Sequence, residues 1–121
     1  MRNFLSAVPV LLLCALAACS DVKPDAYNQA DVEIISKEMK RHELVVTYRP
    51  PTESLYYSPG AQVVGNGKTT EITLVRCRIK GKCPVNAPGI TPSAGVVQVK
   101  IPYTGLPLVI AFKDVRTQIK P

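Results

Sequence analysis

The sequence predicts an all-β fold, a small antiparallel β-sandwich. Three observations predict it. About seven short stretches read as strands, turn signals separate them at sandwich-like spacing, and 11 prolines and 7 glycines leave few helix candidates.

The elements follow in chain order. Val32 to Met39 is ambiguous: Val32, Ile35 and Met39 fit one face of a short helix near residues 31-40, while "VEII" fits a strand, which its β-branched residues favour. "HELVVTY", His42 to Tyr48, is a clearer strand and ends at Pro50-Pro51. Ser58-Pro59-Gly60 marks a turn. Asn66-Gly67, between "QVV" and "TTEITLV", is the dipeptide that type I′ hairpins prefer, because both central residues need positive φ. Val85 to Gly95 is a loop stiffened by Pro84, Pro88 and Pro92. Val96 to Ile101 reads as a strand, "LPLVIAF" from Leu106 as a buried strand, and Val115 to Ile119 as the last strand. The sandwich is immunoglobulin-like in architecture only. The chain has no Trp for the usual core position, and Cys77 and Cys83 are too close together for an inter-sheet bridge.

The N-terminus assigns the compartment. Arg2 gives a basic start, Phe4 to Ala18 is almost wholly apolar, and the run is shorter than the ~20 residues of a spanning helix. That is the layout of a secretory signal. Its end, Leu16-Ala17-Ala18-Cys19, resembles the lipobox of bacterial lipoproteins. The resemblance covers only the first twenty or so residues. It implies cleavage before Cys19, acyl chains on that cysteine and a near-permanent anchor. It divides the chain into a signal peptide, 1-18, a flexible tether, 19-30, and one sandwich domain, 31-121. Ser20 follows the cysteine and Asp21 comes one place later, so in a diderm host the resemblance implies the outer membrane, the domain facing the periplasm or exposed at the surface.

The four cysteines then sort themselves. Cys14 leaves with the signal and Cys19 carries lipid. Cys77 and Cys83 remain as a pair in an oxidising space, expected to form a disulfide. Ile79-Lys80-Gly81 suits a three-residue hairpin loop with Gly81 in the left-handed region, Arg78 facing Lys82 and Cys77 facing Cys83. The rivals fit less well. A zinc site needs four ligands, and only His42 adds a soft one; a thioredoxin-type pair is spaced C-x-x-C, not C-x5-C.

Arg76, Arg78, Lys80 and Lys82 occupy alternate positions, so an extended hairpin projects all four from one face. Such a face is either a solvated edge that blocks aggregation or a docking patch for an anionic partner. Ile72 and Leu74 share that register, so a bulge or a burial switch is expected near Val75. From Gly60 onward only Glu71 and Asp114 oppose nine Lys and Arg, within a formal net charge of +6. In the envelope this favours a protein or anionic partner and makes nucleic acid an improbable one. Tyr56-Tyr57 sends one ring inward and one outward, the outer being a candidate for stacking.

No catalytic constellation is visible. His42 is the only histidine and sits among charges, the carboxylates are scattered, and no nucleophile elbow, zincin helix or phosphate loop occurs. The expectation is a non-enzymatic, cofactor-free and metal-free module that binds or scaffolds an envelope component. An inhibitor or immunity lipoprotein is the alternative, and a small spanin or secretion-pilot subunit a third.

Overall fold

The computed structural model of the chain describes residues 25–119. It contains ten strands: β1 (Glu33–Lys40), β2 (Glu43–Arg49), β3 (Tyr56–Tyr57), β4 (Gly60–Gly65), β5 (Thr70–Leu74), β6 (Cys77–Arg78), β7 (Ala87–Pro88), β8 (Val97–Pro102), β9 (Leu108–Ala111) and β10 (Arg116–Ile119). No α-helix occurs among the described residues; one 3-10 turn spans Gln29–Asp31.

Residues 31-40 are therefore not a short helix. β1 pairs along its length with β2 across the two-residue turn Arg41-His42, where Arg41 has a φ of 56°. The register shifts between Ile34 and Ser36. That bulge breaks the alternation of period two, so Val32 and Met39 both face the core from positions of opposite parity. Ile34 and Met39 pack against the core, and Ile35 points outward.

Two sheets form the layers. One has the order β1-β2-β8 and is antiparallel throughout. The other has the order β10-β9-β5-β4-β7 and is mixed, because β5 and β9 run parallel. The antiparallel β-sandwich expected from the sequence is present, and this pair is the one parallel match among its described strands. A parallel pair needs a long crossover, and the chain between Leu74 and Leu108 supplies it by running out through β8 in the opposite sheet.

The core lies between these layers. Leu44, Val46 and Tyr48 from β2 belong to the same buried cluster as Ile72 and Leu74 from β5 and Ile110 from β9. Tyr48 is the largest fully buried side chain among the described residues. Its phenol shares a 2.6 Å hydrogen bond with Ser58 Oγ, the partner a buried hydroxyl requires.

The turns hold their places by different means from those the dipeptides suggest. Between β4 and β5 the loop is Asn66–Thr69, four residues rather than two. Asn66 Oδ1 accepts from the backbone N–H groups of Lys68 and Thr69 at 2.9 and 2.7 Å, and only Gly67 takes a positive φ, 86°. Gly60 is required where β4 meets β7. Its φ is 144°, and a Cβ there would lie 2.4 Å from the carbonyl oxygen of Ala87.

The burial switch expected near Val75 is present. Thr70, Ile72 and Leu74 are buried on β5, and then Val75 and Cys77 are buried instead of Arg76. The cause is a change of neighbour. The Val75 N–H still donates to the Gly60 carbonyl on β4, but the Arg76 N–H donates to the Asp25 carbonyl, and Ala26 bridges Val75.

That neighbour belongs to the expected tether, 19-30. Its distal part is instead docked on the sandwich. Tyr27 is buried, its carbonyl accepts from the Lys113 N–H at 2.8 Å, and the Gln29 N–H donates to Asp114 Oδ1 at 2.9 Å. One aromatic side chain in a polar stretch carries enough apolar area to fold the segment down. The segment expected to be a signal peptide, 1-18, with Cys14, and the expected lipidation site Cys19 lie outside the described residues.

Candidate functional site

Cys77 and Cys83 are joined by a disulfide, with Cα atoms 5.9 Å apart. The pairing expected from the sequence is present, but the hairpin around it is not. Cys77 and Arg78 form β6 and pair with Tyr57 and Tyr56 of β3, while Lys82 and Cys83 form no strand. The Gly81 N–H donates to the Arg78 carbonyl at 2.8 Å, closing a turn over Ile79-Lys80 without a left-handed glycine. The Ile79 N–H donates to the Leu55 carbonyl at 2.9 Å. The strand partner thus comes from the segment before β4, and the disulfide alone returns the loop to its base.

Arg76 does not join the other cations on one face. Its Nε donates to Glu53 Oε1 at 3.1 Å and its Nη2 to Glu53 Oε2 at 2.7 Å, while Nη1 lies 3.2 Å from Asp25 Oδ2. The guanidinium also lies 3.5 Å from the centre of the Tyr56 ring. The hydrogen bonds to Glu53, then the one to Asp25, hold its pKa further above its ordinary range against the opposing effect of desolvation. Arg76 is a structural clasp rather than part of an open patch.

The two tyrosines separate, though neither enters the core. Tyr56 is half-buried, with Arg76 over its ring and the Arg78 guanidinium 5.8 Å from the same centroid. Its face is taken by the chain's own cations. Tyr57 is exposed. The buried tyrosines are Tyr27 and Tyr48, so the core packing expected of the pair falls to other residues.

Three cations of the expected patch remain open. Arg78, Lys80 and Lys82 are exposed, and no described carboxylate pairs with them. Beside them stand two apolar side chains that the sequence reading passed over. Leu55 is 63% exposed and Ile79 55%, values that mark them as unpartnered rather than core. Ser54, Leu55, Arg78, Ile79 and Lys80 line one shallow cavity. The signal in the sequence was Ile79 itself, an apolar residue at a turn between two cations, where a solvated turn would carry a polar one.

The remaining candidates occupy other ground. His42 is exposed in the β1–β2 turn, and Asp114 accepts the Gln29 N–H. Among the described residues no group of three His, Cys, Asp or Glu side chains is placed to hold a metal ion, and no helix is long and apolar enough to cross a membrane. Compared with known proteins, the chain matches no family model, no curated sequence and no solved structure.

Proposed function

We propose that this chain is a lipid-anchored module of the bacterial envelope, held at the outer membrane through acylated Cys19, that binds or scaffolds a neighbouring envelope component and performs no catalysis. The observation that carries this reading is the exposed surface of Leu55, Ile79, Arg78, Lys80 and Lys82 at the point where the chain arrives from Cys19. Apolar side chains rimmed by charge are what an interaction surface presents. The disulfide fixes the loop that carries most of them, which reduces the ordering cost of binding.

Two measurements test the reading. Mass spectrometry of the mature N-terminal peptide is expected to find acyl chains on Cys19, and a free amine at Ser20 overturns the anchor. A photoreactive side chain placed at Ile79 is expected to give adducts in intact cells that the same group at Val115 does not. Equal labelling from both positions overturns the binding surface.

A further inference from the structure

We infer that the Leu55–Ile79 surface docks on an anionic phospholipid bilayer, so that the domain lies against the membrane in one orientation instead of swinging from its anchor. The inference rests on the anchored-module reading and names the component which that surface meets.

The first argument is position. Asp25 is the first described residue, and its carboxylate lies 3.2 Å from Arg76 Nη1. Arg76 in turn lies on Tyr56, the neighbour of Leu55, and adjoins Cys77 at the base of the disulfide loop. The chain therefore comes in beside the exposed surface. Asp25 lies six positions after Cys19, a fully extended reach of roughly 20 Å. That is shorter than the width of the domain, about 32 Å for a compact sphere with the radius of gyration of a chain of this size. With Cys19 at headgroup level, the end bearing Asp25 and the disulfide loop is held beside the bilayer.

The second argument is chemistry. Leu55 and Ile79 are adjacent, joined by the 2.9 Å bond from the Ile79 N–H to the Leu55 carbonyl. They are of a size to enter the headgroup–acyl boundary. Arg78 and Lys80 flank Ile79, and Lys82 follows within the same closed loop. Cations around short apolar tips match lipid phosphates around acyl chains. Ser54 lines the same cavity and Tyr56 and Tyr57 pair with Arg78 and Cys77, none of them acidic, and Glu53, next to Ser54 in sequence, is taken by Arg76. The acyl anchor makes the contact intramolecular, so a surface too weak to hold the domain alone is enough to orient it.

The chain has no Trp, so a single introduced indole reports without background. The test uses the lipidated mature chain in vesicles of phosphatidylcholine with and without phosphatidylglycerol, carrying Ile79→Trp, or Leu55→Trp as a second probe, against Val64→Trp on β4. Flotation with the vesicles checks the anchor. The indole at position 79 or 55 is expected to shift to the blue and to be quenched by bromine on the acyl chains when phosphatidylglycerol is present, while that at 64 stays in water. Replacing Arg78, Lys80 and Lys82 together by Gln is expected to lower the ratio of docked to undocked protein by on the order of a hundredfold. Protein that floats but whose indoles at 79 and 55 remain unquenched overturns the docking and leaves the anchor standing. Protein that does not float overturns both. A dimer or a protein complex that shields the indole from bromine also overturns the inference.

Discussion

Arg76 and Glu53 meet side chain to side chain across 23 positions of sequence, in a two-pronged pair whose members are 27% and 22% exposed. The pair holds the segment before β3 to the short link between β5 and β6 that leads into the disulfide loop. The third contact, to Asp25, ties in the first described residue. One guanidinium thus joins three separate stretches of chain, and a fork of fixed geometry does this better than a point charge.

Arg76→Gln is expected to destabilise the fold by about 1–3 kcal/mol, because Glu53 is left half-buried without its partner. Arg76→Lys is expected to recover less than half of that, since an ammonium offers neither the two parallel bonds nor the flat face over Tyr56. A double-mutant cycle with Glu53→Gln in urea denaturation measures the coupling, expected at about 1–2 kcal/mol. A coupling near zero would return Arg76 to the solvated basic face that its alternate spacing suggests.

How far the sequence showed this arrangement depends on the range over which each signal acts. β2, β8 and β9 were legible because their four to seven residues of apolar or β-branched pattern suffice to reveal a buried strand. β3, β6 and β7 have two residues each, too few for any period to show, and exist only because a neighbour pairs with them. The parallel match of β5 with β9 is likewise a product of packing and leaves no local trace. Tyr27 lay in a polar segment that composition assigns to a tether. At the candidate site the cations were legible and their partners were not. Ile72 and Leu74 showed that the register must break before Arg76, but Asp25 and Glu53, which take that side chain up, are distant in sequence. Leu55 was missed because it reads as the start of the apolar stretch it forms with Tyr56-Tyr57, and Ile79 because the four cations around it drew the reading to charge.

The disulfide closes a short loop, so removing it should cost little. Cys77→Ala with Cys83→Ala is expected to lower stability by about 2 kcal/mol, the chain-entropy value for so few residues. Part of the loss reflects the cavity left at Cys77, which is buried, whereas Cys83 is half-buried. The larger effect should be local. Backbone hydrogen exchange of Ile79 and Gly81, whose N–H groups bond to Leu55 and Arg78, is expected to rise more than that of Val46 in the core. Uniform acceleration would mean that the bridge supports the whole sandwich rather than the loop.

The last expectation concerns alkaline pH. Burial pushes the Tyr48 phenol up from its ordinary value of 10.0 to about 12, opposed in part by the hydrogen bond with Ser58. Burial raises Tyr27 as well. A phenol with a raised pKa keeps its proton in the folded state after the unfolded chain has lost it. Its contribution is therefore fully present below about pH 10 and is lost as pH climbs toward 12, at ~1.4 kcal/mol for each pH unit while only the unfolded state ionises. Urea midpoints should be flat near neutrality in this respect and fall steeply above pH 10. Tyr48→Phe removes one ionising group and deprives Ser58 Oγ of its 2.6 Å hydrogen bond. It is expected to cost about 1 kcal/mol at neutral pH and to make the alkaline limb shallower, the rest of the slope belonging to Tyr27. An unchanged slope in that variant would show that Tyr48 is not the group whose ionisation unfolds the domain.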